Sequence, residues 1–402
     1  MKKPLEGILV VDLTTFVAAP TAGRLLADMG ARVIKIEPLK GDAWRNSGVS
    51  FAANRFTHEE NPIFDLYNNG KELISLNLKS DEGMKVMLEL LGKADVFITN
   101  NRPASLARMG LDYETLHKKF PRLIYGIVLG LGPKGPDAHR KAFDTTAFWA
   151  RSGFLRDQAL VLEDGQYEPV NAPASVGDSY TGAVLAMQIL AALMQRQESG
   201  EGQFVSASLY HVGMFAMATM IVKHQEEFGQ PRPDTRARVR HGDGPFACAD
   251  GKWLYASVDP ALVCRLAGRP ELHEQACTMV LGSPERNAFV LNSLRECFKM
   301  KPLQEWMDLL EPYDTPTGPL LHFSEVSKDP QAWENDFIRE VTYPTGYTHR
   351  VPTSPFEMEH MQIRELNTTK PVGQDTAKVL SELGYSDEQI QAMIAAGEVV
   401  CN

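Results

Sequence analysis

The order of apolar and polar positions along the chain alternates short apolar runs with stretches of helical spacing. Gly7 to Leu13 (Gly-Ile-Leu-Val-Val-Asp-Leu) is almost continuously aliphatic, as a strand buried on both faces requires. Pro20 to Met29 follows with helical spacing, Pro20 in its first turn and Gly30 ending it, and Ala31 to Glu37 is a second strand, so the first forty residues predict a βαβ unit. Further strands are predicted over Leu73 to Leu78, Asp95 to Thr99 and Arg122 to Leu129. A helix opens at Ser80-Asp81-Glu82-Gly83, with acids at its positive end. This alternation predicts an α/β fold, a Rossmann-like large domain with a mostly parallel sheet.

The polar, irregular stretch from Lys40 to Asn69 is too long for an ordinary connection and predicts a loop over a site or a subunit surface. Lys141 to about Gly153 reads as helical, and Leu155 to Ala174 as an exposed loop or short hairpin. From Val176 the pattern changes scale: Val184, Met187, Ile189, Leu190, Leu193 and Met194 recur at helical spacing in a long apolar run. Gln203 to Ser206 reads as a strand, and Leu209 to Glu227 as a second long helix. Gly229 to Gly244, rich in Pro, Arg, Asp and Gly, marks a linker. Beyond it a hairpin at Pro245 to Ser257 and short amphipathic helices predict a smaller α+β domain. Trp333 to Gln362 reads as chain returning to the first domain, and Glu382 to Glu398 as a closing solvated helix. The division expected is 1–225 (large domain), 226–325 (small domain) and 326–402 (return segment).

Composition narrows the functional classes. A formal net charge of −10 over 402 residues argues against nucleic-acid binding, which needs a basic face. Five cysteines without C-x-x-C spacing read as reduced thiols of a cytoplasmic protein, with no zinc site or disulfide framework. The first residues carry no signal-like apolar segment, and the apolar runs read as shorter than a membrane span.

Two stretches carry candidate chemistry. The turn Thr14 to Pro20 after the first strand lacks the glycine fingerprint of dinucleotide folds. Gly130-Leu131-Gly132-Pro133-Lys134-Gly135 matches it only formally, because Pro133 removes an amide donor and Pro136 delays any helix; it reads better as a glycine-rich active-site loop. The stronger candidate is Asp178, which follows Gly177 where the long apolar helix would begin. As an N-cap, its carboxylate would accept backbone N–H groups of the first turn. As a nucleophile or base, it would be kept ionised by the helix dipole. The residues alone leave both readings open.

Taken together, an ordered series of short motifs resembles the class III CoA-transferases, the formyl-CoA transferase or carnitine-CoA transferase family. The motifs are Leu5-Glu6-Gly7-Ile8 with Asp12, Ala18-Ala19-Pro20, Leu25 to Ala31, Val33-Ile34-Lys35-Ile36-Glu37, Gly41-Asp42 with Arg45, and Asn69-Gly70-Lys71. Further along come Leu76 to Ser80, Ala94-Asp95-Val96, Asn101-Arg102-Pro103, Met109-Gly110-Leu111, Pro121 to Tyr125, and Gly177-Asp178 with Thr181-Gly182. The resemblance implies an interlocked homodimer, coenzyme A or acyl-CoA as substrate, no metal, and Asp178 as the catalytic carboxylate, which would pass through an aspartyl acyl anhydride and an aspartyl-CoA thioester. It also implies that Val17, Ala18, Leu76, Lys79, Asn100, Asn101, Arg102, Arg108 and Lys141 lie around the CoA. The basic members of that set suit an anionic ligand in an acidic protein.

Asn61 to Leu66, Ala142 to Gly153 and Gln331 to Asp336 further resemble the subgroup that moves CoA from an enoyl-CoA to an (R)-2-hydroxy acid in amino-acid fermentation. Phe143, Phe148 and Trp149 would suit an apolar acyl group, although their spacing fits core packing equally. Pro38 replaces an arginine of some members and Phe143 a tyrosine of the formyl-CoA enzymes. Their tetraglycine loop has Gly242-Asp243-Gly244 as its nearest counterpart here, so formyl-CoA:oxalate transfer is disfavoured. The alternatives are a 2-methylacyl-CoA racemase, which needs a histidine where Phe143 stands, and a non-catalytic acyl-CoA-binding protein.

Overall fold

The structure, a computed structural model, describes residues 3–46, 60–162, 164, 166–225, 242–359, 366–368 and 370–402. Residues 47–59 of the expected 40–69 loop, most of the 229–244 linker and the end of the return segment at 360–362 lie outside the described residues; the last part of the expected loop is a helix, Pro62–Asn68. The chain forms two compact units: Met1–Arg156, Asn171–Val222 and Pro330–Asn402 make the first, Asp157–Val170 and Lys223–Asp329 the second. Asp157–Val170, read from sequence as part of the large domain, groups with the second unit.

In the first unit, β1 (Leu9–Leu13), α1 (Ala18–Asp28), β2 (Arg32–Glu37), β3 (Glu72–Leu76), β4 (Val96–Thr99) and β5 (Ile124–Leu129) follow one another as the sequence pattern predicts. The helix α1 begins two residues before Pro20, which is tolerated in a first turn because its missing N–H would have no partner there. The seven-stranded sheet runs Val399–Val400, β3, β2, β1, β4, β5, Phe204–Ser208. All neighbours are parallel except the terminal strand, where Val399 pairs antiparallel with Leu76.

The continuous apolar runs are explained by cover on both faces. On one face Val10, Val33, Ile98 and Val128 pack against Leu26 of α1 and Leu185 and Ile189 of the helix Val176–Ser199. On the other, Val11, Ile34, Ile74, Phe97 and Ile127 pack against Val86 and Leu90 of the helix Asp81–Lys93 and against Val379 and Leu380. Ser80 caps Asp81–Lys93 by accepting the Gly83 N–H at 3.2 Å. Val176–Ser199 has 24 residues and is long and apolar enough to cross a membrane by length and composition, contrary to the sequence reading; here its Leu185 and Ile189 lie in the core beneath the sheet.

Two helices are shorter than expected. Leu209–Glu227 is two helices, Leu209–Ala216 and Ala218–Lys223. The expected helix Glu382–Glu398 is only Asp387–Ala395: an earlier helix, Thr376–Leu383, ends at Gly384, which turns left-handed (φ 101°), and Ser386 caps the second by accepting from the Gln389 N–H.

The second unit is α+β. Its antiparallel strands Asp243–Ala247, Trp253–Ser257 and Thr317–Pro319 carry a core of Phe246, Leu254, Phe298 and Trp306, with helices including Pro284–Phe298 and Leu303–Leu310. Gly242-Asp243-Gly244 is not a free glycine loop. Asp243 and Gly244 pair with Ser257 and Ala256, and a Cβ on Gly242 would lie 2.0 Å from the Val258 carbonyl oxygen.

Candidate active site

The strand order fixes where a ligand can enter. From β1 the chain moves to β2 and β3 on one side, then crosses to β4 and β5 on the other, so the turns leaving β1 and β4 diverge and open a crevice at the carboxyl ends of these strands. Asn100 joins the two turns: its Oδ1 accepts the Thr15 N–H at 3.0 Å and its Nδ2 donates to the Thr15 carbonyl at 2.7 Å. Asn101 Nδ2 donates to the Leu13 carbonyl at 3.1 Å. Val17, Ala18, Asn100, Asn101 and Arg102 therefore come together at this crevice. Leu76 and Lys79 stand at the same edge of the sheet, at and beyond the end of β3, and Lys141 precedes the helix Asp144–Arg151.

The chemistry each residue can offer differs. Val17, Ala18 and Leu76 are buried apolar residues with no polar side-chain atom to offer. Arg102, Arg108, Lys79 and Lys141 are exposed cations, and the Arg108 Nη2 rests 3.1 Å from Ser105 Oγ.

Beneath the β1 turn lies a buried set of three acids and three cations. Lys35 meets Asp42 at 2.8 Å and donates to the Thr14 carbonyl. Lys71 meets Asp12 at 2.8 Å. Arg45 grips both oxygens of Glu37 at 2.8 and 2.9 Å. Asp42 also accepts from Thr15 Oγ1, the Trp44 N–H and the Phe16 N–H, the last at 3.4 Å. Burial opposes the charge on Lys35, but Asp42, Asp12 and Glu37 overcome it and hold its pKa above the ordinary lysine value. Burial likewise works against Asp42, yet Lys35 and its hydrogen bonds keep the carboxyl below the ordinary range. For Lys71, burial outweighs Asp12 and brings the pKa down to about 8. This set holds Phe16 in a left-handed conformation, φ 63°, unusual for an aromatic residue. The sequence held the signal: Lys35 and Glu37 sit inside a strand covered on both faces, where charges need partners.

Asp178 is the third residue of the helix Val176–Ser199, whose N-cap is Ser175 in a left-handed conformation (φ 69°) with no side-chain capping bond. Asp178 is therefore not the N-cap that one sequence reading expected. Gly177 is required by close packing, since a Cβ there would lie 2.2 Å from Phe148 Cγ and 2.3 Å from Asp144 Oδ1. Burial, and after it the like charge of Asp144, push the Asp178 carboxyl up to about 7. The expectation that the helix dipole alone keeps it ionised is corrected accordingly.

Asp144 opens an eight-residue π-helix, Asp144–Arg151. Its carboxyl is also raised by burial, against the backbone N–H groups of Ser175, Gly177 and Asp178 and the Trp149 indole, which favour its charge. None of these closes to full hydrogen-bond geometry: both Asp144 oxygens and Trp149 Nε1 are buried without a partner. The field of the two carboxyls also reaches a tyrosine. Burial, and with it the charges of Asp178 and Asp144, raise the phenol of Tyr67 on the helix Pro62–Asn68, while Ser175 and Ser179 act in the opposite sense.

Aromatic rings link these parts. Phe16 meets Trp44 at 6.0 Å and Phe143 at 6.3 Å between centroids, and Trp44 meets Tyr67 at 6.4 Å. Of the three aromatics expected to receive an acyl group, Phe143 is 61% exposed beside Phe16, whereas Phe148 and Trp149 are core residues. Phe16, Trp44 and Tyr67 were missed. Tyr67 directly follows the Asn61 to Leu66 motif, which was the one available hint.

Elsewhere in this unit, a cavity of about 330 Å³ lies at the amino ends of β2 and β3, the sheet edge opposite Asp178, where Arg32 pairs with Glu72 and Lys370 with Asp375. Among the described residues no group of three His, Cys, Asp or Glu side chains is placed to hold a metal ion.

Comparison with known proteins agrees with this arrangement. Residues 5–376 match the model of CoA-transferase family III. The chain is 36% identical to (R)-2-hydroxy-4-methylpentanoate CoA-transferase of Clostridioides difficile, over 96% of this chain and 97% of that protein. It is 33% identical to cinnamoyl-CoA:phenyllactate CoA-transferase of Clostridium sporogenes, over 96% and 95%. In fold it is similar to a CAIB/BAIF family protein from Brucella suis, with a TM-score of 0.81 and 24% identity over 95% of this chain and 100% of that one.

Proposed function

The chain belongs to CoA-transferase family III, and on that premise we propose that it moves coenzyme A from an acyl-CoA, an enoyl-CoA in particular, to an (R)-2-hydroxy acid, with Asp178 as the covalent carrier. The observation that carries this reading is Asp178 itself: a half-buried carboxyl in the first turn of its helix, with no cation paired to it among the described residues and a pKa brought up to about 7. Such a carboxylate is poorly solvated and correspondingly reactive, yet half ionised near neutral pH.

In the proposed sequence, one Asp178 oxygen bonds to the thioester carbonyl carbon of the donor, the C–S bond breaks, and an aspartyl acyl anhydride and CoA thiolate result. The thiolate attacks the aspartyl carbonyl and releases the donor acid, leaving an aspartyl-CoA thioester. The acceptor carboxylate then attacks that thioester, forming a second anhydride, and the returning thiolate attacks its acceptor-derived carbonyl to free Asp178 and the new acyl-CoA. Protons are neither gained nor lost overall. The site must exclude water, and the apolar rings of Phe16, Phe143 and Trp44 suit that need while accommodating an apolar acyl chain.

The CoA would run along the crevice at the carboxyl ends of the strands. Val17, Ala18 and Leu76 would contribute backbone contacts, Asn100 and Asn101 would hold the two turns in register, and Lys79, Arg102, Arg108 and Lys141 would face the nucleotide phosphates. A homodimer of cytoplasmic location is part of the proposal. Tyr180, Met187 and Met194 are exposed at seven-residue spacing along the outer face of the Asp178 helix, an apolar stripe that a second copy would cover. A racemase would need a base where Phe143 stands, and a phenyl ring cannot move a proton.

Incubation with an acyl-CoA, hydroxylamine trapping and mass analysis test the proposal. A hydroxamate at Asp178 is expected. Exchange of the α-proton without trapping or CoA transfer would replace it with the racemase reading.

A further inference from the structure

Between β5 and the π-helix Asp144–Arg151 the chain leaves the carboxyl edge of the sheet, and residues 131–141 form no helix or strand. The base of this loop is closed. Gly130 and Ala142 meet so closely that a Cβ on Gly130 would lie 2.5 Å from the Ala142 Cβ, and the Gly130 carbonyl accepts the Tyr210 N–H at 3.0 Å. Inside the loop the Ala138 N–H reaches the Gly135 carbonyl at 3.3 Å and the Arg140 N–H the Asp137 carbonyl at 2.9 Å, while Gly132 and Gly135 are left-handed (φ 103° and 95°). So sparsely bonded a backbone does not fix its own shape.

Asp137 supplies what the backbone lacks. One of its oxygens meets Arg140 Nε at 2.8 Å and the other Arg151 Nη1 at 2.7 Å. Arg140 belongs to the loop, whereas Arg151 is the last residue of the π-helix and its guanidinium lies 5.2 Å from the Tyr210 ring centroid. Tyr210 thus holds Gly130 with its N–H and Arg151 with its ring. Lys141, exposed and next to Arg140, is carried by this set; shortly after it, the Phe143 ring meets Phe16 of the β1 turn at 6.3 Å, so the loop ends at the crevice. A lone ion pair at such exposure contributes little to stability, but one carboxylate shared by two guanidiniums, one of them seated on a ring, sets a position.

We infer that Asp137 is a positioning residue for coenzyme A: by bridging Arg140 and Arg151 it shapes the loop 131–141 so that Lys141 faces the phosphates of the nucleotide. The inference rests on the CoA-transferase reading above and deepens it. Charge and geometry then pull in opposite directions. By charge alone, removing an acid beside Arg140, Lys141 and Arg151 should strengthen the attraction for an anion. If the acid sets geometry, removing it should weaken binding, because Lys141 loses its place.

Titration calorimetry with free CoA tests this on wild type, Asp137→Asn, Asp137→Glu, Lys141→Ala and the double variant of Asp137→Asn with Lys141→Ala. Asp137→Asn is expected to weaken CoA binding by about 3- to 10-fold, and the double variant to bind no more weakly than Lys141→Ala, since the carboxylate acts through that lysine. The slope of log Kd against log salt should become shallower in Asp137→Asn, whereas a plain gain of positive charge would steepen it. Asp137→Glu should restore much of the affinity. Unchanged or tighter binding by Asp137→Asn would overturn the inference, and so would losses that add in the double variant or a slope that steepens. If the wild type binds no CoA and hydroxylamine traps nothing at Asp178, the functional reading falls with it. Trapping at Asp178 together with an Asp137→Asn protein that binds CoA as wild type does overturns the positioning role alone.

Discussion

Two groups of buried acids lie in the same unit, and they are treated in opposite ways. Under the β1 turn, Asp12, Glu37 and Asp42 each face a cation at 2.8 Å, and Asp42 is held below the ordinary carboxylate range. At the start of the Asp178 helix, Asp144 and the half-buried Asp178 lie within each other's field with no cation paired to either among the described residues, and both carboxyls are raised, Asp178 to about 7. Burial acts in the same sense on both groups. The difference is made by Lys35, Lys71 and Arg45, which neutralise the acids that shape the turn and leave the acid proposed to react without a partner. A carboxylate fixed by a cation is a good strut and a poor nucleophile; one without is the reverse.

The sharpest test of that contrast is Asp178→Asn. Transfer should fall by at least about 10³-fold in a steady-state CoA-exchange assay, as expected when a covalent nucleophile is removed. The same substitution should stabilise the fold at pH 8. Because the carboxyl binds its proton more tightly folded than unfolded, wild-type stability falls as pH rises from about 4 through about 7, and the advantage of the variant in thermal melts should vanish at the acid end of that window. A variant that is both inactive and less stable at pH 8 would break the comparison.

Lys35→Met should do the opposite and leave Asp42 buried without its cation. A loss of about 3–5 kcal/mol is expected in urea denaturation, the usual cost of breaking a buried pair from one side.

Gly177→Ala should have an intermediate effect, about 1–3 kcal/mol of destabilisation from overpacking against Phe148 and Asp144, with a kcat loss that Gly202→Ala, overpacked against Leu123 beyond the other end of the helix, does not reproduce in the same proportion. The smallest effect is electrostatic. The wild-type kcat/KM should fall about tenfold per pH unit below about 7, and Asp144→Asn should move that limb to lower pH by removing a like charge. The move should be only part of the full displacement, since burial remains the larger cause.

Much of the fold was legible because both sheet faces are covered: unbroken aliphatic runs separated by helical spacing have few other solutions, and β1 to β5 fall where they were expected. Local punctuation was read less well. Gly384 and the Ser386-to-Gln389 cap separate Thr376–Leu383 from Asp387–Ala395, so the helix expected over 382–398 starts five residues later than its spacing suggested, and the helix before it was not read. At the candidate site, Asp178 and the crevice turns were visible as motifs, but the cap belongs to Ser175, whose left-handed backbone has no signature in a serine. Phe148 and Trp149 share a helical spacing with Phe143, and spacing alone does not say which face is covered. Tyr67 could not be placed within the field of Asp178 at all, because the two are brought together by packing between elements more than a hundred residues apart.

The internally neutral set beneath the β1 turn also separates two responses to ionic strength. Its six charges are shielded from water, so mobile ions cannot reach between Lys35 and Asp42 or between Arg45 and Glu37, and concentrated salt should leave the shape of that turn intact. Lys79, Arg102, Arg108 and Lys141 stand in solvent, where the same ions compete directly for them. Rising salt would therefore loosen the grip on an anionic ligand while its binding surface stays formed, an adjustable clasp on a frame that does not yield.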